Sequence, residues 1–323
     1  MSESAAAAFG EGRADKGKKG KKPGSTEATA VGGSRWTPYL LLLPAAAWLG
    51  VFFVVPTLAL LSTSLSTGSL ETGTAFTFNV GNYTAALQEY WPHFVRSFLF
   101  AGMATLLTLA IAYPLAYTIA FKAGRWKNAL LVLVIAPFFT SFLIRTLAWI
   151  TILSDDGFVV TLMRDLHLTD LMSHLCIAGQ CLTEPDRVLQ TPLAIVTGLT
   201  YNFLPFMTLP LYAALDRMDP RLLEAGQDLY ASPWTAFRKI TWPLSLPGVV
   251  AGTLLTFIPA AGDYINAQLL GTSRQHMVGN VIESQFLRVG DYPIAAALSF
   301  SLMASILVLV LLYVRRAGTE DLV

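Results

Sequence analysis

Charged residues are scarce in this sequence: Lys, Arg, Asp and Glu make up 13% of its 323 residues, whereas hydrophobic residues make up 54%. A soluble domain of this length cannot bury so much apolar surface, so the composition excludes an ordinary soluble protein. The net charge of +1 gives no support for nucleic-acid binding. The sequence therefore predicts an integral membrane protein.

Only two cysteines and four histidines are present. Cys176 and Cys181 fall in one predicted loop, where a disulfide and two free thiols are both open alternatives. His174 is the one imidazole nearby, which is too little for a metal site. The sequence has no metal-ligand cluster and no nucleophile–base pair, so we expect no catalytic residue and no bound metal.

Six segments of roughly 20 residues carry almost no charge, which is the length that a membrane-crossing helix requires. The alternating pattern of a β-barrel is absent. Charges occur inside these segments only at Arg145 and Asp263. The six predicted helices, which make this an all-α integral membrane protein, are Tyr39–Leu61, Phe98–Phe121, Ala129–Leu153, Pro192–Leu215, Leu246–Leu270 and Pro293–Val314.

Most of the 22 Lys and Arg residues lie in four segments that would share one side of the membrane, whereas residues 62–94 have none. Because basic residues accumulate on the cytoplasmic side, both termini are predicted to be cytoplasmic. The first 36 residues lack the apolar core of a signal peptide. The predicted segments are 1–36, a disordered basic tail; 37–93, the first transmembrane helix and external loop; 94–314, a five-helix core with a cytoplasmic hairpin at 218–245; and 315–323, a C-terminal tail.

The N-terminal tail contains GRADKGKK at residues 12–19, which is similar to a nucleotide-binding P-loop. The last position of that motif needs a Ser or Thr hydroxyl to hold magnesium, and here it is Lys19. No apolar strand precedes the stretch. We therefore expect no nucleotide to bind there.

Residues 218–245, between the fourth and fifth spans, predict an amphipathic helical hairpin. Asp219–Pro220 and Ser232–Pro233 are N-cap and N1 pairs for two helices, and Pro243 is expected to end the second. Glu224 projects from the polar side of the first helix. The hairpin is too short and polar to cross the bilayer. Two roles fit it, an anchor in the lipid headgroups or a docking element for a cytoplasmic partner.

The same stretch resembles the EAA motif of ABC-transporter permeases, which reads Glu-Ala-Ala, three residues, Gly, nine residues, Ile, one residue, Leu-Pro. Glu224 and Ala225 match, and Gly226 stands for the second Ala. Ile240 has the required spacing, and Trp242–Pro243 stands for Leu-Pro. In that family the hairpin is a coupling helix that sits in a cleft of the ATP-hydrolysing subunit.

One residue departs from the motif. Tyr230 replaces the Gly at a bend, where Gly adopts a positive φ freely and another residue would lose about 1 kcal/mol. The residues that the resemblance assigns to coupling with the ATPase are Glu224, Ala225, Gly226, Asp228, Tyr230, Ile240 and Pro243.

The resemblance extends over residues 39–314. Within these permeases, the sequence resembles the spermidine/putrescine branch. The stretches that carry it are residues 137–153, 201–215, 256–271 and 277–287. It implies the type I ABC importer permease fold and a non-catalytic subunit in the inner membrane. The implied partners are a second homologous permease, two copies of a cytoplasmic ATPase, an extracytoplasmic substrate-binding protein and the lipid bilayer. ATP and Mg would bind to the ATPase, so no cofactor is expected in this chain.

Polar and aromatic residues within the spans are candidates for the transport pathway. Asp263 could attract an ammonium group, or it could anchor the outer end of its helix. Arg145 would repel a polycation, so we expect it to pair structurally or to reach the headgroups. The residues assigned to the substrate pathway, for which simple packing is the alternative to a role with cations, are Asp263, Tyr264, Tyr201, Asn202, Phe203 and Trp149.

Two other interpretations stay open at this point. The first keeps the importer but changes its solute to another organic cation, an amino-acid derivative or a metal chelate. The second is a channel or membrane enzyme with six spans. The absence of a filter-like loop argues against the channel, and the absence of paired carboxylates argues against the enzyme.

Gly248 and Gly252 are four residues apart, a spacing typical of close packing between membrane helices.

Overall fold

The computed structural model describes residues 37–69, 73–177, 180–184, 187–228 and 230–317. The predicted tail at residues 1–36 and the last part of the predicted C-terminal tail, 318–323, lie outside the described residues. The chain divides into two units, Met1–Phe53 and Val54–Val323. Most of the described chain, including every candidate site residue, belongs to the second.

The described part is almost entirely helical. Its α-helices are α1 (Thr37–Leu49), α2 (Val55–Ser64), α3 (Gly81–Tyr117), α4 (Lys127–Ile135), α5 (Phe142–Ile152), α6 (Phe158–Asp165), α7 (Leu168–Ser173), α8 (Pro192–Asp216), α9 (Pro220–Asp228), α10 (Pro233–Ala236), α11 (Trp242–Ala261), α12 (Ile265–Leu270), α13 (Val278–Ser284) and α14 (Tyr292–Ala317). Its π-helical turns are Gly50–Val54, Thr118–Lys122, Phe237–Thr241 and Gln285–Val289. Its 3-10 turns are Gly124–Trp126, Ala136–Phe139 and Ser273–Gln275. Its antiparallel strand pairs are β1 (Ser66–Ser69) with β2 (Gly73–Phe76) and β3 (Cys176–Ile177) with β4 (Gln180–Cys181).

Among the described residues, helices long and apolar enough to cross a membrane are Leu41–Ser64, Gly81–Lys122, Pro192–Asp216, Pro233–Ala261 and Tyr292–Arg316. A bent pair of helices between the second and third of these makes six spans if it counts as one. The predicted number of spans agrees with this. The last helix continues to Ala317, three residues into the segment that was predicted as a tail.

The third predicted span, 129–153, is not one straight helix. Helical segments Gly124–Phe139 and Phe142–Ile152 meet at 96°. Thr140 and Ser141 between them have ψ values of 148° and 139°, which is extended backbone. Pro137 lies just before them and cannot donate a backbone hydrogen bond to the preceding turn. The prediction of an unbroken helix here is wrong.

The fifth predicted span, 246–270, is also interrupted. Its helix ends at Ala261, and α12 begins only at Ile265. Between them, Oδ1 of Asp263 accepts a hydrogen bond from the backbone N–H of Asn266 at 2.8 Å. A carboxylate that binds a backbone N–H three residues ahead competes with the regular helical bond, so it favours a new helix start at this point.

The core of the second unit lies where α3, α8 and α11 pack side by side. Ala101 and Ala104 of α3, Ile195 and Leu199 of α8, and Ala260 of α11 are fully buried there. Small side chains on two of the three helices let the backbones approach closely, which is how membrane helices gain packing energy without a hydrophobic driving force between them.

At Gly248 and Gly252, α11 packs closely against α8. A Cβ atom at Gly248 would lie 2.6 Å from the Cβ of Ala214 and 2.8 Å from the carbonyl oxygen of Pro210. A Cβ atom at Gly252 would lie 2.7 Å from Sδ of Met207. The close packing predicted for the two glycines is confirmed.

We expect Gly248→Ala to lower the melting temperature of the purified protein in detergent. The added methyl would overlap the backbone of α8, which cannot move aside as a flexible side chain could, and such overpacking costs about 1–3 kcal/mol. Gly102→Ala in α3 is the matched control, because a Cβ atom there meets nothing within 4 Å. The control should keep or raise the melting temperature, since Ala favours a helix over Gly by about 1 kcal/mol. Equal shifts in the two variants would contradict this assignment.

Candidate functional site

Both helices of the hairpin between the fourth and fifth spans start at the predicted residues. Oδ1 of Asp219 accepts a hydrogen bond from the backbone N–H of Arg221 at 3.0 Å, and Pro220 is the first residue of α9. Oγ of Ser232 accepts one from the backbone N–H of Thr235 at 3.2 Å. The start signals read from the sequence are confirmed.

The sequence predicted that the second helix ends at Pro243, and this prediction is wrong. The helix runs without a break as Pro233–Ala261 and becomes the fifth span. Its backbone widens into the π turn Phe237–Thr241 just before the proline. The same order occurs at Gly50–Val54, a π turn that precedes Pro56. Proline has no backbone N–H, so it leaves the carbonyl of the preceding turn unpaired, and its ring clashes with that carbonyl. A π turn changes the hydrogen-bond spacing at this point, so the helix can continue.

Helix α9 rests on this long helix through two residues of the EAA-like motif. Gly226 is buried, and a Cβ atom there would lie 2.9 Å from Cδ1 of Ile240. The structure therefore brings together two motif positions that are fourteen residues apart in the sequence. α9 therefore contacts the start of the long helix that becomes the fifth span.

The opposite side of α9 is open. Glu224, Ala225 and Asp228 are exposed. Glu224 makes no hydrogen bond or ion pair with any residue in the part of the chain that the structure describes. An exposed carboxylate on a helix that is held from its other side is free to pair with a basic group of a partner.

Tyr230 lies at the bend after α9 in the left-handed conformation, with φ of 57°. The backbone N–H of Ala231 bonds to the carbonyl oxygen of Gly226 at 3.1 Å, which is the hydrogen bond of a Schellman motif. The side chain of Tyr230 is 98% exposed. Its backbone thus has the left-handed conformation that glycine adopts freely, while its ring is almost free of contacts with the described residues.

The base of the hairpin is fixed by polar contacts to neighbouring helices. Lys127 forms an ion pair with Asp216, and the hydroxyl of Tyr212 donates to the same carboxylate at 3.2 Å. Deeper in the core, the hydroxyls of Tyr113 and Ser245 lie 2.8 Å apart in a buried hydrogen bond. The first two contacts fix the ends of α4 and α8 to each other, and the third joins α3 to α11.

A second group of functional candidates lies just beyond the other end of the fifth span. Asp263 occupies the break between α11 and α12, and its carboxylate is held by Asn266. The backbone N–H of Asn266 donates to Oδ1 at 2.8 Å, and its Nδ2 donates to Oδ2 at 3.2 Å. Two donors from one residue fix both oxygens of the carboxylate.

Asn266 also joins α12 to two spans. Its Oδ1 accepts hydrogen bonds from Nδ2 of Asn202 in α8, at 3.1 Å, and from Oγ1 of Thr146 in α5, at 3.3 Å. All three side chains are buried. A buried polar group costs free energy unless it is hydrogen-bonded, so this network favours one arrangement of the three helices.

The predicted aromatic residues divide between two environments. The rings of Trp149 and Tyr201 meet edge to face with centroids 5.6 Å apart, one helical turn from Thr146 and one residue from Asn202. Tyr264 is exposed beside Asp263. Phe203 is instead buried in the helix core, with its centroid 5.9 Å from that of Phe206. It lies about 200° around the helix from Tyr201, so it faces a different side of α8, and its role in a pathway stays a prediction.

Arg145 is neither ion-paired nor directed at this polar group within the described residues. Its guanidinium lies over the rings of Phe138 and Phe142, 5.9 and 5.7 Å from their centroids. The negative faces of two aromatic rings attract the cation. The positive charge of Arg145 is therefore stabilised by these two rings, next to the bend of the third span.

Burial raises the pKa of Asp263 to about 6, although the hydrogen bonds from Asn266 oppose this rise. The carboxyl group follows the end of the fifth span at Ala261, so it stands outside the membrane-spanning helix. Above about pH 6 it carries a negative charge, and it becomes neutral as the pH falls through that value.

Sequence reasoning missed the partners that hold Asp263. Asn266 follows it by three residues, a spacing at which a side chain and a helix start meet, and this signal was available. Thr146 and Asn280 had no such signal, because their contacts come from distant segments. Asn280 donates its Nδ2 to the carbonyl oxygen of Tyr264 at 2.8 Å and so closes the break from the side of α13.

Cys176 and Cys181 are joined by a disulfide in the loop between the third and fourth spans. They are opposite each other in the β3–β4 pair, so the bond closes a short hairpin. Within the residues that are described, no three or more His, Cys, Asp or Glu side chains are grouped as metal ligands would be.

We expect Tyr230→Gly to slow amide hydrogen exchange in the last turn of α9, because glycine relieves about 1 kcal/mol of backbone strain, or roughly fivefold in the opening equilibrium. Tyr230→Ala is the control, since it removes the exposed ring and keeps the strain. Exchange measured by mass spectrometry on the purified protein should respond to the first variant only. An identical response to both would assign the effect to the ring.

Residues 109–317 match the family described as "Binding-protein-dependent transport system inner membrane component". The chain is 35% identical over 270 residues to the "Spermidine/putrescine transport system permease protein PotB" of Haemophilus influenzae, which covers 83% of this chain and 90% of the relative. It is 34% identical over 276 residues to the protein of the same name from Escherichia coli, covering 85% of this chain and 96% of the relative.

Two solved structures are similar in fold. A bacterial ABC transporter that imports the acidic polysaccharide alginate has a chain with a TM-score of 0.67 at 18% identity, covering 88% of this chain and 96% of that one. A bacterial alginate ABC transporter in complex with its pentasaccharide-bound periplasmic protein has one with a TM-score of 0.63 at 20% identity, covering 86% and 92%. The importer permease fold predicted from the sequence is confirmed.

The matched region contains the EAA-like hairpin, Asp263 and the core of α8 and α11. The members of the matched family are transport components of the membrane and not enzymes. This chain belongs to the family of binding-protein-dependent transport system inner membrane components.

Proposed function

We propose that this chain is the permease of an ATP-driven importer of polyamines such as spermidine and putrescine, and that it forms half of the translocation path. The observation that carries the substrate class is the carboxylate of Asp263, held at a helix break next to buried polar side chains. A negative charge in a region of low dielectric constant attracts a passing ammonium group. The names of the relatives from Haemophilus influenzae and Escherichia coli support the same class.

The aromatic pair adds a second feature suited to organic cations. Trp149 and Tyr201 lie next to the network that holds Asp263, and Tyr201 is partly exposed. Aromatic ring faces attract ammonium groups by about 0.5–2 kcal/mol. A polyamine has several ammonium groups along one chain, so it can contact the carboxylate and a ring together. The guanidinium of Arg145, which would repel such a cation, lies instead over the rings of Phe138 and Phe142.

Coupling to ATP would pass through α9. In this proposal α9 inserts into a cleft of the partner ATPase, where Glu224 pairs with a basic group. Closure of the ATPase moves α9, and the contact of Gly226 with Ile240 passes the movement to the helix Pro233–Ala261. Ile240 and Asp263 are 23 residues apart, which is about 35 Å along a helix. One helix thus runs from the coupling surface to Ala261, two residues before the candidate substrate carboxylate.

The proposed assembly contains this chain, a second homologous permease, two copies of the ATPase and an extracytoplasmic substrate-binding protein. ATP and Mg bind in the ATPase subunits, and this chain carries no cofactor. The chain is a multi-pass protein of the inner membrane. Its two termini would be cytoplasmic, which puts α9 on the side of the ATPase and Asp263 on the side of the binding protein.

The proposal is tested by uptake of labelled spermidine into proteoliposomes that contain the complex purified through this chain, with the binding protein and ATP supplied. We expect Asp263→Asn to reduce uptake about tenfold or more, because it removes the charge and keeps the shape. Asp170→Asn, which changes an exposed carboxylate in α7, should leave uptake unchanged.

The pH dependence has a defined direction. Since the pKa of Asp263 is raised to about 6, the charged form is lost as the external pH falls through that value. Uptake by the natural protein should therefore fall below about pH 6, whereas the residual uptake of Asp263→Asn should lack this step. ATPase activity that responds to another solute, with no spermidine uptake, would refute the polyamine assignment and leave the importer. A preparation that has no ATPase partner would refute both.

We expect Glu224→Gln to abolish most ATP-driven uptake while the chain still elutes with its partners at the same volume in gel filtration. The change removes the charge that would pair with the ATPase and leaves the contact of Gly226 with Ile240 intact. Glu184→Gln, in the loop between the third and fourth spans, is the matched control. Undiminished uptake in the Glu224 variant would argue against coupling through α9.

A further inference from the structure

Helix α6 in the loop between the third and fourth spans has three distinct faces. Successive residues turn by about 100° around a helix, so each face can be read from the spacing. Val160 is fully buried and Met163 is partly buried against the core. These two residues define the face that attaches the helix to the rest of the protein.

The second face is apolar and exposed. Phe158, Leu162 and Leu166 recur every four residues, and their exposed fractions are 82%, 47% and 60%. Their mean direction is about 120° from that of Val160 and Met163. Leu171 in α7 and Leu175 just after it are exposed apolar residues as well.

The third face is polar. Thr161, Arg164 and Asp165 are exposed and point about 120° away from each of the other two faces. A helix on the surface of a soluble domain needs one apolar face and one polar face. A third, apolar face that is turned outward implies a second apolar surrounding.

The span that leads into this helix also has exposed apolar residues. Ile144 and Leu147 of α5 are exposed and apolar. Five residues separate the end of α5 from the start of α6, and one of them, Leu153, is buried. Five extended residues reach about 17 Å at most, and the headgroup layer with its acyl boundary extends several ångströms beyond the hydrocarbon core. The helix cannot lie far from that layer.

We propose that α6 lies in the membrane–water interface, with Phe158, Leu162 and Leu166 among the lipid acyl chains and the polar face in water. The stripe follows a span with exposed apolar residues after a connection of only five residues, which favours lipid over a soluble protein as its surrounding. Interfacial helices have this division between a buried apolar face and a charged one. The loop that carries the disulfide is then tethered to the bilayer at α6.

Site-directed spin labelling tests the proposal. The chain has only two cysteines, and both are in the disulfide, so one added cysteine gives a unique label. Labels are placed at Phe158→Cys, Leu162→Cys and Leu166→Cys, with Thr161→Cys and Asp165→Cys as matched controls on the polar face. The whole complex is reconstituted in phospholipid bilayers.

The accessibility of each label is measured to oxygen, which partitions into lipid, and to a nickel chelate, which stays in water. We expect oxygen to exceed the chelate at the three apolar positions and the order to reverse at the two controls. If a label at Phe158 prevents assembly, Leu162 and Leu166 carry the same comparison. Quenching of a fluorophore at Leu162→Cys by brominated phospholipid is the second readout, and at least about twofold quenching is expected there.

Two results would overturn the proposal. Equal and high accessibility to the nickel chelate on both faces would show that the helix lies in water. Protection of the apolar positions that appears only when the substrate-binding protein is added, without quenching by brominated lipid, would show that a protein covers the stripe.

Discussion

The close contact of α8 with α11 is the interaction on which both candidate sites depend. At Gly248 and Gly252 the two backbones leave no room for a Cβ atom, so the helices are held in one register. α8 carries Asn202 near its middle and leads into α9 at its C-terminal end. α11 continues from Ile240 and leads to Asp263. Because packed helices shift as units and do not deform smoothly, the two ends of this pair move together.

Much of the fold could be predicted from the sequence, because uncharged segments and helix caps are local signals. The six apolar segments and the starts at Asp219 and Ser232 are examples. The breaks could not be predicted in the same way. Pro243 is a residue that normally breaks a helix, yet a π turn accommodates it. Pro137, in contrast, lies next to a bend of 96°. Whether a proline ends a helix depends on hydrogen bonds and packing that the local sequence does not specify.

The candidate sites show the same limit. The motif from Glu224 to Ile240 and the lone charge of Asp263 are visible in the sequence, and Tyr230 has the positive φ expected at the glycine position. The network through Asn202 is not visible, because its members come from segments about 60 residues apart. Buried polar side chains are costly in a membrane protein, so their partners are fixed by the tertiary structure and not by local spacing.

The hairpin closed by Cys176 and Cys181 bears on how the chain is made. A disulfide persists only in an oxidising compartment, and the cytoplasm keeps thiols reduced. With both termini in the cytoplasm, as proposed, the loop between the third and fourth spans lies outside the cytoplasm, and the bond would form only after that loop has crossed the bilayer. The redox state of these two sulfur atoms would then report which side of the membrane the loop reached during biosynthesis.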